Sequence, residues 1–403
     1  MSAAEMSPDV RQYLIVTGNY WAFTLTDGAL RMLVVLHFHQ LGYNALQIAL
    51  LFLFYEVFGV VTNLLGGWLG ARWGLNKTMN IGLCLQVLAL SMLLVPASVL
   101  TPAWVMAAQA LSGIAKDLNK MSAKSAIKLL VPEQQQGKLY HWVSVLTGSK
   151  NALKGLGFFL GAALLATLGF FGAVLLMTVA LALVAVLSVL LLRKEFGKAS
   201  HKPKFTQLFS KSRALNYLSA ARLFLFGARD VWFVVALPVY LSSTLDWRHE
   251  LVGGFLALWI IGYGAVQANA PRITGMASGS PPDGRTAFRW ASLLAGIPAL
   301  IAVALLASTT PTLLLIVGLL VFGGLFAVNS AVHSYLVVSY AESDGVSLDV
   351  GFYYMANAMG RLVGTVLSGW IFQSHGLAAC LLVSSAFVII AALLARLLPV
   401  HAP

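Results

Sequence analysis

The sequence predicts an all-α membrane protein with twelve transmembrane helices in two pseudo-symmetric six-helix halves. Three observations support this fold class: the composition, the number of apolar runs and an internal repeat. Of the 403 residues, 59% are hydrophobic and only 10% carry a formal charge, whereas soluble domains average about 25% charged residues. A transmembrane helix needs about 20 mainly apolar residues, so the chain has room for twelve spans and for no sizeable soluble domain. We therefore expect a protein that is not an enzyme.

Twelve apolar runs follow one another, separated by short polar or Gly- and Pro-containing segments. They lie at 12–39, 45–70, 78–97, 104–130, 139–168, 170–194, 214–243, 250–270, 289–307, 312–338, 350–373 and 378–398. The longest gap lies near the middle and is strongly basic. We predict an N-terminal six-helix bundle over 1–194, a basic cytoplasmic linker over 195–213 and a C-terminal six-helix bundle over 214–403.

The distribution of lysine and arginine predicts the orientation, because cytoplasmic loops carry an excess of both. With both termini cytoplasmic, the cytoplasmic segments hold 17 of these residues and the opposite loops hold one, Arg248. This bias accounts for the net charge of +12 without nucleic acid as a partner. The first eleven residues lack the features of a signal peptide. We expect an uncleaved first helix and a multi-pass protein of the inner (cytoplasmic) membrane.

Few residues have the chemistry of a cofactor or metal site. The two cysteines, Cys84 and Cys380, lie inside separate apolar runs, which excludes a disulfide framework, a CxxC pair and a Cys-rich metal site. His37 and His39 are two residues apart, about 200° around a helix, and cannot chelate one metal. The sequence has no Walker lysine motif, so we expect no direct use of ATP. We predict no cofactor and no metal.

An internal repeat divides the chain into two halves. A shift of 203 residues places Asp27 on Asp230, and the same shift aligns three glycines of each half. These are Gly148, Gly157 and Gly161, which fall on Gly351, Gly360 and Gly364. Two six-helix repeats related in this way are the plan of the major facilitator transporters, which the sequence resembles.

The loop after the second run also resembles that superfamily. Residues 67–77, GWLGARWGLNK, are similar to its loop signature of a Gly and a Leu, an Asp-Arg pair, and then Gly and basic residues. Ala71 replaces the aspartate, so a gate that depends on this carboxylate is not expected. In the fourth run Gln109 occupies the place of an arginine common in proton-coupled exporters. The chain therefore resembles the superfamily without resembling a standard drug exporter.

The charges inside the apolar runs predict an anionic substrate. An ionisable residue near the bilayer centre costs at least about 2.5 kcal/mol and usually faces a cavity. The cations in the runs are Arg31, Lys116, Lys120, Lys150, Lys154, Arg222, Arg229 and Arg361. The acids are Asp27, Glu56, Asp117 and Asp230. Eight cations against four acids leave an excess of four positive charges, which an anionic substrate would offset.

The spacing of these cations indicates where the substrate binds. Lys116 and Lys120 share one helix face, as do Lys150 and Lys154, and like charges at this spacing repel each other. A multivalent anion would relieve the repulsion on both helices. We predict a central cavity whose substrate-binding residues are Arg31, Lys116, Lys120, Lys150, Lys154, Arg229 and Arg361. If transport is coupled to protons, the candidate carriers are Asp27, Glu56 and Asp230.

Each charge also has a structural alternative. Asp27 and Arg31 are four residues apart and can neutralise each other, and Asp117 can be the counter-ion of Lys116 and Lys120. Long side chains near a helix end can extend to the membrane interface. Residues close enough to an end to do so are Lys124, Lys128 and Arg222.

Nearly the whole chain resembles the organoarsenical efflux permeases of the ArsJ type. The similarity rests on four long runs: GNYWAFTLTDGALRMLVVLHFH (18–39), ALSGIAKDLNKMSAKSAIKLLVP (110–132), TGSKNALKG (147–155) and FSKSRALNYLSAARLFLFGARDVWFVVALP (209–238). The resemblance implies efflux of 1-arseno-3-phosphoglycerate by alternating access, as part of arsenate resistance. It also implies glyceraldehyde-3-phosphate dehydrogenase as the source of the substrate, without direct contact. We expect a monomer in the lipid bilayer.

Three alternatives compete with this function. The first is a general organophosphate/phosphate exchanger of the same fold, which would carry phosphoglycerate as well. The second is an exporter of lipophilic cations, which the excess of positive charge disfavours. The third is a membrane enzyme that acts on phosphorylated lipid, but the sequence offers neither a nucleophile–base arrangement nor a metal site for it.

Overall fold

A computed structural model describes residues 8–43, 45–131, 135–192, 197–200, 212–275, 281–307 and 311–400. These ranges contain thirteen helices and no strand, which confirms the all-α prediction. The first six helices are α1 (Pro8–Gln40), α2 (Ala45–Leu51), α3 (Leu53–Trp73), α4 (Leu75–Ser91), α5 (Pro102–Leu130) and α6 (Gln136–Leu191). The next seven are α7 (Arg213–Phe233), α8 (Ala236–Ser243), α9 (His249–Ala268), α10 (Ala270–Ile273), α11 (Gly284–Ala307), α12 (Pro311–Tyr340) and α13 (Val346–Ala395).

Glycines interrupt the two longest helices. A straight helix with the 56 residues of α6 would be roughly 84 Å long, more than twice the hydrocarbon thickness of a bilayer. Gly169 in α6 has φ 67° and Gly376 in α13 has φ 76°, backbone angles that glycine adopts at little cost. Each of these two helices therefore consists of two consecutive segments, as the predicted apolar runs on either side of residues 169 and 376 require.

The helix bounds are compatible with the twelve predicted spans. Seven segments among the described residues are long and apolar enough by themselves to cross a membrane, and these include the undivided α6 and α13. Helix α5 is not one of the seven, and five of its 29 residues carry a charge. The bent pairs α2–α3 and α7–α8 each occupy one predicted run. The cytoplasmic position of both termini stays a prediction.

The chain forms two compact units. Unit 1 comprises Met1–Gln135, Ser149–Phe209 and Glu342–Met355, and unit 2 comprises Gln136–Gly148, Ser210–Ala341 and Ala356–Pro403. Packing defines these units, and each combines segments from separate parts of the chain. They therefore do not test the boundaries predicted for the two halves, which stay a prediction. Most of the predicted linker over 195–213 lies outside the described residues.

Unit 1 is built around α5, which packs against α1, α3 and α4. The backbones of α1 and α6 also approach each other closely. A Cβ atom on Gly157 would lie 2.7 Å from the carbonyl oxygen of Leu25 and 3.0 Å from the amide nitrogen of Ala29. A Cβ atom on Gly28 would lie 2.7 Å from the carbonyl oxygen of Lys154. This close contact between small residues brings the Lys154 backbone next to the segment of α1 that carries Asp27.

Unit 2 has an aromatic core and a matching glycine contact. The buried ring of Trp232 makes edge contacts with Trp259 and Phe322 at 6.1 Å and 5.1 Å between centroids, a favoured geometry for aromatic pairs. Where α13 crosses α7, a Cβ atom on Gly364 would lie 2.7 Å from the carbonyl oxygen of Gly227. Gly364 is one of the glycines aligned by the internal repeat, so the repeated glycines make the same kind of contact in each unit.

Hydrogen bonds to backbone carbonyl groups hold the junction between α3 and α4 within unit 1. Gly74, with φ 97°, separates the two helices. The hydroxyl of Ser347 donates a 2.7 Å hydrogen bond to the carbonyl oxygen of Gly67. The amide of Ala199 donates at 2.8 Å to the carbonyl oxygen of Ala71. The carboxylate that Ala71 replaces is therefore not needed to hold this loop in place.

We expect Gly157→Ala to destabilise the protein by about 1–3 kcal/mol, because the added methyl group would overlap the α1 backbone. Gly262→Ala is the matched control, since a Cβ atom there would have no neighbour within 4 Å. Thermal unfolding in detergent, followed by labelling of the buried Cys380, measures both variants. Equal melting temperatures for the two variants would contradict the close-contact interpretation.

Candidate functional site

The predicted charges of unit 1 gather around Tyr55, which is 1% exposed. The Tyr55 hydroxyl donates a 2.7 Å hydrogen bond to Oδ1 of Asp27. The Nζ atom of Lys116 lies 3.8 Å from the centroid of the Tyr55 ring, and the guanidinium of Arg31 lies 4.7 Å from it. We define the Tyr55 cluster as Asp27, Arg31, Tyr55, Glu56, Lys116 and Lys154. A cation over an aromatic ring is stabilised without losing its charge, so the ring positions Lys116 and Arg31 as cations.

Ion pairs in the Tyr55 cluster connect different helices. Arg31 of α1 pairs with Glu56 of α3 at 3.2 Å. Lys154 of α6 lies 4.0 Å from Oδ2 of Asp27. Asp27 and Arg31 thus each have an oppositely charged partner on another helix. The alternative in which the two neutralise each other is not needed to explain either charge. Lys150 is half-buried one turn before Lys154.

A row of lysines continues along α5. Lys120 pairs with Asp117 at 2.7 Å, as the counter-ion alternative predicts. The Nζ atoms of Lys120 and Lys124 lie 4.8 Å and 5.3 Å from the centroid of the Tyr354 ring. Lys124 and Lys128 are only 2% and 9% exposed. Protein covers both side chains, which does not fit lysines that extend into the membrane interface.

In unit 2 one carboxylate binds two guanidinium groups. The Asp230 side chain is fully buried, and its Oδ1 accepts a 2.6 Å hydrogen bond from Nε of Arg229. Its Oδ2 accepts a 3.1 Å hydrogen bond from Nε of Arg361. Phe226, Phe326 and Phe233 surround the Arg229 guanidinium, with centroids at 5.0, 5.6 and 5.9 Å. We call Arg229, Asp230 and Arg361 the Asp230 cluster; it carries one excess positive charge.

Arg222 does not extend to the membrane interface, the structural alternative that its place near the start of α7 left open. Its side chain is 3% exposed and lies inside unit 2. Nε donates at 2.9 Å to Oδ1 of Asn357, and Nη1 donates at 3.3 Å to the carbonyl oxygen of Ser330. The guanidinium also lies 3.8 Å from the centroid of the Phe226 ring. Neutral acceptors thus hold this buried cation inside unit 2.

The four carboxylates predicted inside the spans bind five of the eight predicted cations. Of the other three, Lys116 lies over the Tyr55 ring, and Arg222 binds neutral acceptors beside the Phe226 ring. Sequence reasoning missed Tyr55, Tyr354 and Phe226, since tyrosine and phenylalanine are frequent in apolar runs and carry no signal of a cation contact. Within the ranges that the structure describes, no three His, Cys, Asp or Glu residues are grouped as metal ligands.

Sequence comparison identifies the family. The profile of the Major Facilitator Superfamily matches residues 14–278, more than half of the chain. The chain belongs to this superfamily. It is therefore a multi-pass membrane transporter, as both the apolar helices and the family indicate. A search of curated proteins found no match.

Solved structures of three facilitator-type proteins have the same fold. The human organic anion transporter TETRAN is 17% identical with a TM-score of 0.75, and the match covers 97% of this facilitator and 100% of TETRAN. FucP in its outward conformation is 11% identical with a TM-score of 0.74, covering 97% and 99%. An outward-facing bacterial homologue of the iron transporter ferroportin is 15% identical with a TM-score of 0.72, covering 97% and 98%. At these identities the likeness establishes the fold alone.

We expect Asp230→Asn to destabilise the facilitator by about 3 kcal/mol, because it leaves two guanidinium groups beside a buried site without a carboxylate. Glu56→Gln is the matched control, since Glu56 and Arg31 are 32% and 26% exposed and such pairs contribute about 1 kcal/mol or less. Melting temperatures in detergent measure the difference. Equal losses for the two variants would show that Asp230 is no more important to stability than a partly exposed pair.

Proposed function

We propose that this facilitator exports an anionic organoarsenical, 1-arseno-3-phosphoglycerate, across the inner membrane by alternating access. The observation that carries the proposal is the excess of cations over carboxylates in the Tyr55 cluster, the α5 lysines and the Asp230 cluster. Charges held in a low-dielectric region interact strongly with an incoming counter-ion. A substrate with several negative charges would neutralise this excess, whereas a cationic substrate would increase it.

The side chains in these clusters suit phosphate and arsenate groups. Lysine binds such oxyanions as a point charge, and arginine binds them through two parallel hydrogen bonds. The ester carries a phosphate at one end and a pentavalent arsenate group at the other. Trivalent arsenic would instead require soft thiolate ligands, but Cys84 is exposed in unit 1 and Cys380 is buried in unit 2. This chemistry favours an oxyanion form of arsenic.

Two similarities support the substrate class. The four long runs at 18–39, 110–132, 147–155 and 209–238 resemble the ArsJ-type permeases, and they contain all eight intramembrane cations except Arg361. TETRAN, which shares the fold, is named an organic anion transporter. We infer that glyceraldehyde-3-phosphate dehydrogenase supplies the ester without direct contact and that the facilitator acts as a monomer in the lipid bilayer.

The row of lysines on α5 supports a route for the anion. Lys116, Lys120, Lys124 and Lys128 follow one another at intervals of four residues, about 6 Å apart along the helix. Lys124 and Lys128 are buried although they lie toward the predicted cytoplasmic end. An anion that enters from the cytoplasm would meet successive positive charges on its way to Lys116 and the Tyr55 cluster.

The membrane potential favours this direction of transport. Moving one negative charge out of a cell that is negative inside releases about 2.3 kcal/mol per 100 mV. Entry of protons would add to this, and the candidate carriers are Asp27, Glu56 and Asp230. Asp27 is suited to couple the two events because it binds both the Tyr55 hydroxyl and Lys154. Protonation of Asp27 would release its hold on Lys154 and change the positive charge available to the anion.

A second candidate function is the exchange of organophosphates for phosphate. The same clusters favour it, since their lysines and arginines recognise phosphate as well as arsenate. The two functions differ in selectivity: an exchanger would carry phosphoglycerate as readily as the arsenate ester, and external phosphate would accelerate it.

Uptake by everted membrane vesicles tests the proposal. Freshly generated arsenate ester, phosphoglycerate and inorganic arsenate are supplied in turn, each with and without a pH gradient. We expect accumulation of the ester well above the other two anions. Equal uptake of phosphoglycerate would establish the exchanger instead, and no uptake of any anion would contradict the anion-binding interpretation of the clusters.

The same assay tests the lysines of α6. We expect Lys150→Ala and Lys154→Ala each to reduce ester uptake roughly 10- to 100-fold, because a hydrogen bond to a charged group contributes about 1.5–3 kcal/mol. Arg285→Ala is the control, since Arg285 is exposed and lies in neither cluster. Normal uptake by both lysine variants, at unchanged amounts in the membrane, would overturn the role of this helix face.

Variants of the candidate proton carriers test coupling. We expect Asp27→Asn to abolish the stimulation of ester uptake by a pH gradient, because the amide cannot exchange the proton. Glu56→Gln and Asp230→Asn, assayed in parallel, distinguish Asp27 from the other two acids. Stimulation that persists in the Asp27 variant would exclude this carboxylate as the carrier.

A further inference from the structure

A groove with a volume of about 700 Å³ lies between α4 and the C-terminal end of α6 in unit 1, and no residue of either cluster lines it. It opens to the surface, because Leu88 and Val189 on its walls are each about half-exposed. Three cations, Arg72, Lys77 and Lys198, line it together with apolar side chains. Neither the transport proposal nor the family membership accounts for this groove.

The cations lie at one end of the groove. Arg72 and Lys77 are on either side of Gly74, where α3 ends and α4 begins. The hydrogen bond from the Ala199 amide to the Ala71 carbonyl oxygen, 2.8 Å long, brings Lys198 to the same end. All three side chains are exposed. The first turn of α4 adds the partial positive charge of a helix N-terminus.

Beyond this basic end, α4 contributes an apolar strip to the groove, and the amides Asn76 and Asn80 line the groove as well. Lys77, Ile81, Cys84 and Leu88 line it and are three or four residues apart, so they share one face of the helix. From Lys77 to Leu88 the helix rises by about 16 Å, roughly half the thickness of the hydrocarbon core of a bilayer. The groove therefore has a basic end and an apolar length that matches a single leaflet.

Hydrogen bonds beneath the groove fix its walls. Ser188 of α6 donates to Oδ1 of Asn80 of α4. The same hydroxyl accepts a 2.8 Å hydrogen bond from Nδ2 of the buried Asn19 of α1. Three helices are thus connected through one serine, which satisfies polar groups at the bottom of the groove and leaves its outer walls apolar.

We propose that the groove binds an anionic phospholipid of the cytoplasmic leaflet. The lipid phosphate binds Arg72, Lys77 and Lys198, and one acyl chain lies along Ile81, Cys84 and Leu88. The positive-inside distribution places the basic end on the cytoplasmic side, where anionic lipids give the membrane a negative surface. The charge of the groove complements an anionic lipid, whereas a zwitterionic lipid would bring its own cation to a basic site.

Cys84 provides a direct measurement of occupancy. It is exposed on the wall of the groove, whereas Cys380 is buried. The full chain is purified in an uncharged detergent, and the rate of Cys84 labelling by an uncharged maleimide is measured. Increasing amounts of phosphatidylglycerol are then added, and Cys84→Ser gives the background. We expect phosphatidylglycerol to protect Cys84, and phosphatidylcholine with the same chains to protect it far less.

The variant Arg72→Ala/Lys77→Ala/Lys198→Ala tests the basic end. We expect it to require about 100-fold more phosphatidylglycerol for the same protection. The matched control is Arg272→Ala/Arg285→Ala/Arg289→Ala, which removes three exposed cations of unit 2 and should leave protection unchanged. Native mass spectrometry of the same samples counts the retained lipids and shows that each variant is folded.

Three results would overturn the proposal. Equal protection by phosphatidylcholine would show that any lipid covers the groove. Protection by glycerol phosphate, which has the charged group without acyl chains, would show a site for small anions instead. Protection that survives in the triple variant would show that the cations are not part of the site.

Discussion

The excess of positive charge inside apolar helices is the constraint on which the rest of this structure depends. Each cation must have a partner, because a buried charge without one is unstable. The facilitator meets this requirement in two ways. Four carboxylates bind five cations directly, while aromatic faces and neutral acceptors surround others, as Tyr55 does for Lys116 and Asn357 does for Arg222. The second way leaves the positive charge in place, which is what recognition of an anion requires.

Glycine contacts place these charges next to one another. Lys154 reaches Asp27 because Gly28 and Gly157 allow the α1 and α6 backbones to approach so closely that a methyl group on either glycine would overlap the other helix. In unit 2, Gly364 allows α13 to lie against α7, so that Arg361 meets Asp230. The ion pairs therefore depend on the glycine contacts, because larger residues at the glycine positions would separate the helices that carry opposite charges.

Sequence alone predicted the features that depend on the internal repeat or on the spacing of residues along one helix. The 203-residue repeat identified the glycines that make equivalent contacts in the two units, and the spacing of Asp117 and Lys120 predicted their ion pair. It could not predict pairs between helices, such as Arg31 with Glu56, because their distance depends on how α1 packs against α3. The interface remained an alternative for Arg222 for a related reason. Its depth could only be counted from the helix end, whereas its environment is set by Asn357 and Ser330 on other helices.

The loop at Ala71 shows how a superfamily motif can lose its charged residue and keep its position. The Ser347 hydroxyl binds the Gly67 carbonyl and the Ala199 amide binds the Ala71 carbonyl, so the loop is held at the position of Ala71 without a carboxylate there. The loss of that aspartate has an electrostatic consequence. Arg72 and Lys77 remain beside a position without a carboxylate, and Lys198 lies next to them. Together the three exposed cations make this end of unit 1 basic, and they are the groups that the phosphate of the proposed lipid would contact.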